Sequence, residues 1–232
     1  MIEELLNKNP SLKIILINNS STCPDTIRFL NTSSLKVIQN ENHGPWVTSS
    51  QNAHIYKQMP DKYIVTDPDL ELHPDLPSNF IDILSELSDK YQTFKIGLAL
   101  DISEPKMMVD SEKILAHESQ FWKAPVANAP YEMYYAPIDT TFALLNKKYE
   151  QQKMDKCSIR IAGVFTAKHL PWYIRNPVYT PRENYNYHKE ATHFSSFSRT
   201  FVNYFDKHNL LQKLEKELAE QTAATTSKTG IV

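Results

Sequence analysis

Asp67 and Asp69 flank Pro68 in the stretch DKYIVTDPDLELHP, directly after the apolar run Lys62–Thr66. In an extended segment, residues i and i+2 point to the same side. Pro68 fixes its own φ and biases Asp67 toward extended backbone. Two carboxylates on one side are hard oxygen donors that suit Mg²⁺ or Mn²⁺, ions that keep further positions for water and phosphate oxygens. A solvated turn is the competing interpretation, and a bare D-x-D is too short to choose between the two. Three more side chains with chemical capacity stand out. Asp101 closes the apolar run FKIGLAL, Asp139 opens DTTFALL, and His169 follows Lys168 in TAKHLPWY.

Composition narrows the ways this chain can handle phosphate. Its four glycines are Gly44, Gly97, Gly163 and Gly230. A P-loop or dinucleotide fingerprint needs several glycines close together so that backbone amides can approach phosphate. Any phosphate bound here must therefore be neutralised by other means. The two cysteines, Cys23 and Cys157, provide neither a disulfide framework nor a metal cluster. A formal net charge of −2 supplies no long-range field for nucleic acid or anionic lipid. The N-terminus MIEELLNKNPSLK lacks a signal-peptide pattern, and no apolar run reaches membrane-spanning length. The expectation is a cytoplasmic protein with no membrane span and no nucleic-acid partner.

The elements that must position these side chains follow from periodicity. Leu12–Asn18, Leu35–Asn40, Lys62–Thr66 and Phe94–Leu100 are short apolar runs of strand length. Between them lie PDTIRFLN, VTSSQNAHIYKQM and SNFIDILSELSDKY, which carry helical spacing. The last places Phe80, Ile83, Leu84, Leu87 and Tyr91 on one face. A further helix is expected around Ser111–Trp122. Strands of mixed character are expected in IDTTFALL and CSIRIAGVF. Strands alternating with helices imply β-α-β units and a mostly parallel sheet, with ligands beyond the carboxyl ends of the strands. Asn18–Ser21, Asn40–Gly44, Asp67–Asp69 and Asp101 all fall at such ends. From Pro171 the chain becomes irregular and aromatic, apart from an amphipathic helix near Phe205–Ala219.

The ordered segments INNSST, NENHGPW, YIVTDPDLE, QFW, APIDTTFALL and AGVFTAKHLPWY together resemble the GT-A class of nucleotide-sugar glycosyltransferases, in a compact branch found in bacteria and large DNA viruses. The resemblance spans Leu12 to Tyr173. It implies a GT-A-like, Rossmann-type α/β fold with a mixed, mostly parallel sheet flanked by helices and an irregular C-terminal part. On that pattern, residues 1–218 form a single catalytic domain with a nucleotide-binding half (1–101) and an acceptor half (102–218). Residues 219–232 then form a flexible tail or linker.

The resemblance also implies roles. Asp69 coordinates Mn²⁺ or Mg²⁺ directly, and Asp67 contacts the ribose or reaches the metal through water. His169 is a late metal ligand, with His188 and His193 as rivals. Lys168 pairs with diphosphate oxygens, and Asn18, Asn19, Ser20, Ser21 and Asn42 meet the nucleotide. Asp139 is the general base of an inverting transfer, with Asp101 as its competitor, and Arg175, Arg182 and Lys189 lie in a stretch that would close over the phosphates. Some of Trp122, Tyr131, Tyr134, Tyr135, Trp172 and Tyr173 line an acceptor groove. The partners are a nucleoside-diphosphate sugar, a UDP-sugar first, and a glycan or other hydroxyl acceptor. Two alternatives stay open: a sugar nucleotidylyltransferase, and a non-catalytic module that binds sugar nucleotides or glycans.

Overall fold

A computed structural model describes residues 1–42, 52–139, 141–152 and 158–173. His43, Gly44, Arg175, Arg182, His188, Lys189 and His193 lie outside the described residues, as do the expected helix near Phe205–Ala219, the tail and residues 47–51 of the helix expected from Val47, whose described part forms a helix over Ala53–Tyr56. The described elements form two compact units. One contains β1 (Ile15–Asn19), α2 (Pro24–Thr32) and β2 (Lys36–Asn40). The other contains α1 (Ile2–Lys8) and everything from α3 (Ala53–Tyr56) onward.

The smaller unit is a β-α-β unit, with β1 and β2 pairing in parallel from Ile15↔Lys36 to Asn19↔Asn40. Pro24 opens α2, where a missing N–H costs nothing because the first turn has no intrahelical acceptor for it.

The larger unit is a mixed α/β structure built on a six-stranded sheet. After β3 (Lys62–Thr66) come β4 (Leu70–Leu72), α4 (Phe80–Tyr91), β5 (Lys95–Leu100), α5 (Ser111–Glu118), β6 (Met133–Tyr135), β7 (Phe142–Asn146) and β8 (Ser158–His169). A 3₁₀ turn, Ser119–Trp122, extends α5. The strand order is β3-β7-β5-β8-β4, with β6 also paired to β8. Only β5 and β8 run parallel; the β3–β7, β5–β7, β4–β8 and β6–β8 pairs are antiparallel. The expectation of a mostly parallel sheet is therefore corrected for this unit. Apolar runs separated by helices do not report strand direction once later strands insert between earlier ones, as β7 does between β3 and β5.

Burial explains the run-like character of the central strands. All five residues of β7 are buried, as are five of six in β5, because both faces of the sheet are covered. On one face, α4 sets down Phe80, Leu84 and Leu87, and the Phe80 ring meets Phe142 at 5.7 Å. Each such burial stabilises the fold by roughly 1.5–3 kcal/mol. On the other face, Ile138 packs with Tyr63, Ala143 and Leu145. Between these layers β7 approaches β5 so closely that a Cβ on Gly97 would lie 2.0 Å from the Phe142 carbonyl oxygen.

β8 is long because it serves two partners in succession. Its first half pairs with β6 and its end pairs with β4, and between them its register with β5 jumps after Leu98↔Ile161 to Ala99↔Thr166. Gly163, at φ +64, turns the chain within this excursion, and Thr166 Oγ1 donates to its carbonyl at 3.0 Å. The bulge resets the pleat and delivers Lys168 and His169 to the sheet edge beside β4.

Candidate functional site

The acidic turn is fastened at both ends. On one side the Asp67 N–H donates to the Thr141 carbonyl at 3.0 Å, and Thr66 Oγ1 donates to the same oxygen at 2.7 Å. On the other, the Leu170 N–H donates to the Asp69 carbonyl at 2.9 Å. The three-residue segment therefore spans from the entry of β7 to the exit of β8. Its two flanks, β3 and β4, lie at opposite ends of the strand order.

At the β8 end, Asp69 is buried and its Oδ2 lies 3.6 Å from His169 Nε2. The β4–β8 ladder, with Leu70 opposite His169, sets that approach. Trp172 closes on the imidazole edge-on, 4.9 Å away at 87°. A carboxylate oxygen and an imidazole nitrogen at this spacing are a donor pair that a shared cation bridges, since two ligands about 2.1 Å from one ion sit about 3 Å apart at a right angle and further apart as the angle opens. Mg²⁺ and Mn²⁺ fill the rest of their shell with water and phosphate oxygens, so one or two protein donors suffice. Among the described residues, no set of three or more His, Cys, Asp or Glu side chains gathers around a common point. Two donors of this kind could hold an ion only together with ligands from elsewhere.

At the β7 end stands Asp139, exposed, two residues before the Thr141 carbonyl that holds Asp67. The approach to Asp139 is held by cations. Arg160 Nε donates to the Pro137 carbonyl at 2.7 Å, and Lys95 Nζ donates to the Ile138 carbonyl at 2.6 Å. Burial pushes the Lys95 ammonium below its usual range, the nearby Arg160 adds to that, and the carboxylates of Asp139 and Asp67 push back. Lys95 therefore lies in the field of both acids.

Arg160 also forms a buried ion pair with Glu118 at 2.7 Å, and its guanidinium lies 4.1 Å from the Phe121 ring centroid. Burial opposes the charge on each partner, raising Glu118 and lowering Arg160, while each offsets the penalty of the other. The His169 imidazole also acts on Glu118 electrostatically. Electrostatic contacts thus link His169 with Glu118, Glu118 with Arg160, and Arg160 with both Asp139 and Lys95.

Asp67, Asp69, Asp139 and His169, singled out by sequence, all lie in the larger unit, Asp67 and Asp139 at the β7 end of the turn and Asp69 and His169 at its β8 end. Lys168 is placed differently. Successive strand residues alternate sides, and its Nζ bonds Glu104 at the exposed surface, with the Tyr173 ring 5.5 Å away. Asp101 is also occupied, since its Oδ1 accepts the Ser103 N–H at 2.8 Å in a local turn. Asn18, Asn19, Ser20 and Ser21 lie in the other unit, at the tip of β1, where they are cross-linked to β2. Asn18 Nδ2 donates to Gln39 at 2.7 Å, Asn40 Nδ2 donates to Asn19 at 3.0 Å, and Ser20 Oγ donates to the Asn40 carbonyl at 3.0 Å. Ser20 turns the chain at φ 58, a left-handed conformation uncommon for a residue other than glycine, and the Ser21 N–H closes on Asn18 Oδ1. Asn42 is exposed just beyond β2.

Of the aromatic candidates, Trp172 and Tyr173 are buried, whereas Tyr131 and Tyr135 are exposed. Tyr134 donates to Glu132 and stacks near Trp122 at 5.4 Å.

Lys95, Arg160 and Glu118 were missed in the sequence, although two of them carried a signal. A basic residue inside the strand runs FKIGLAL and CSIRIAGVF must find a partner once the sheet is covered on both faces. Glu118 carried none, because a glutamate at a helix end is ordinary. Among the described residues, no helix is long and apolar enough to cross a membrane. No protein-family model matches the chain, and no curated protein sequence matches it.

Proposed function

We propose that this chain is a metal-dependent glycosyltransferase of GT-A-like type. It would move a sugar from a nucleoside diphosphate, a UDP-sugar first, to an acceptor hydroxyl, with inversion at the anomeric carbon. The observation that carries the proposal is the double fastening of the Asp67–Asp69 turn, which keeps one carboxylate beside His169 and the other beside the Asp139 approach. Asp69 and His169 would hold Mn²⁺ or Mg²⁺. When bound, such an ion supplies the positive charge that the glycine-poor backbone does not supply to a diphosphate.

The protein's own part in the chemistry falls to Asp139. Its exposed carboxylate accepts the proton of the acceptor hydroxyl as that oxygen forms a bond to the anomeric carbon, while the carbon–oxygen bond to the diphosphate breaks. Negative charge grows on the departing diphosphate, so cationic stabilisation near Asp69 counts most in the transition state.

A thermal-shift series with UDP-glucose, UDP-galactose, UDP-N-acetylglucosamine and GDP-mannose, each with and without Mn²⁺, tests the proposal. One donor at about 100 times its Kd should stabilise the fold by about 2.7 kcal/mol, and only in the presence of metal. Stabilisation that ignores the metal, or no stabilisation by any of the four, would count against it.

A further inference from the structure

The segment that leads into Asp139 is held by an uncommon device. Ala136 still joins the edge of the sheet, its N–H donating to the Ser158 carbonyl at 3.1 Å. Pro137 then has no N–H to offer, and Ile138 dives into the apolar cluster with Tyr63, Ala143 and Leu145. Left alone, the carbonyl of buried Ile138 would lack a donor at a cost of about 1–3 kcal/mol, and that of exposed Pro137 would fall to water. Both are instead taken by cations. Arg160 reaches Pro137 at 2.7 Å from β8, and Lys95 reaches Ile138 at 2.6 Å from β5. The register Gly97↔Arg160 and Lys95↔Ser158 puts the two long side chains on the same face of neighbouring strands. Arg160 is itself fixed by Glu118 and by the Phe121 ring. Charge-assisted hydrogen bonds are shorter and roughly twice as strong as neutral ones. Two of them on consecutive carbonyls leave the next residue little freedom.

We propose that Lys95 and Arg160 are positioning residues for Asp139, gripping the two peptide carbonyls that precede it so that its carboxylate meets the acceptor hydroxyl in one orientation. This rests on Asp139 being the base of the proposed transfer. The grip acts on orientation rather than on donor binding, so its loss should appear in kcat and leave KM alone.

The test uses the full chain and two variants. Lys95→Met keeps the stem and removes the donor. Arg160→Met combined with Glu118→Gln removes the second donor without stranding a buried carboxylate. Hydrogen exchange is followed in peptides spanning residues 136–145, alongside release of the nucleoside diphosphate (UDP, or GDP from GDP-mannose) from whichever donor gives the metal-dependent thermal shift. Either variant should raise exchange in that segment by about tenfold. Either should also lower kcat by about 30-fold with KM for the donor within about twofold.

Unchanged exchange overturns the grip, as does a kcat that falls only with the folded fraction. The underlying reading has its own arm. If Asp139→Ala keeps full turnover, the base assignment fails and the positioning role fails with it. If Asp139→Ala is inactive while Lys95→Met is fully active, only the positioning role falls. If no donor is turned over by the unaltered chain, exchange alone decides whether the cations hold the segment.

Discussion

The two ends of the acidic turn are chemically unlike, although their carboxylates are one residue apart. At the Asp69 end the acid is buried, faces an imidazole and is tied to the exit of β8. At the Asp67 end the acid is half-buried, lies in the field of Lys95 and is tied to the entry of β7 near an exposed Asp139. Pro68 separates the two environments. A buried carboxylate facing an imidazole offers oxygen and nitrogen donors together, whereas the Asp67 and Asp139 carboxylates share the field of the Lys95 ammonium. In the proposed function, D-x-D would then not be one site with two equal ligands: the Asp69 end would hold the cation and the Asp67 end would lie beside the base.

Changes at each end should therefore separate. Asp139→Ala is expected to lower turnover by about 1000-fold. Its metal-dependent affinity for the nucleotide sugar, read by calorimetry, should stay within about twofold of the unaltered chain. A non-catalytic binding module would show no turnover to lose, and full turnover in the variant would remove Asp139 from the chemistry.

Gly97→Ala tests the sheet spacing on which both ends depend. A Cβ at 2.0 Å from the Phe142 carbonyl forces β7 and β5 apart, and we expect a loss of about 3 kcal/mol in denaturant unfolding. A stability equal to that of the unaltered chain would mean the strands shift without cost. His169→Ala should weaken Mn²⁺ binding by about tenfold, as followed by water-proton relaxation, and should also lower thermal stability without metal, because buried Asp69 loses the imidazole beside it.

The smallest effect belongs to a control outside the site. The Asp89 carboxyl is held below its usual range, chiefly by the hydrogen bond from Lys62 and further by Asn146, with burial acting the other way. A depressed carboxyl pKa contributes stability that is present above the unfolded value and lost as pH falls through the folded one. The Tm deficit of Asp89→Asn should thus be small, since the pair is exposed. It should be constant near neutrality and shrink as pH falls below the ordinary value of 3.8. A deficit that grows in acid would contradict the assignment.

How much of this was legible beforehand depended on whether the information is local. β3 matches its expected bounds, and α4 lacks only its first two expected residues, because a five-residue apolar run and a 3.6-residue stripe are complete signals in themselves. β4 was overlooked in DLELHP although Leu70 and Leu72 are buried around an exposed Glu71; two strand residues of alternation are too few to stand out beside an acidic turn. Strand direction was not local information at all, and the antiparallel insertion of β7 between β3 and β5 left no trace in either neighbour.

The site divides along the same line. Asp67 and Asp69 announced themselves by spacing, and Asp139 and His169 by family likeness. The Lys95 and Arg160 grips depend on which carbonyls a distant proline leaves unpaired, a property that exists only after folding.

In the proposed function, Asp69 holds a divalent ion on which a diphosphate depends. The direct test is an electron paramagnetic resonance titration of free Mn²⁺ against the unaltered chain and Asp69→Asn, with and without UDP. UDP should tighten Mn²⁺ binding by the unaltered chain, and Asp69→Asn should weaken it by about 100-fold in the presence of UDP. Equal Mn²⁺ affinity in the two proteins, or no influence of UDP on either, would contradict it.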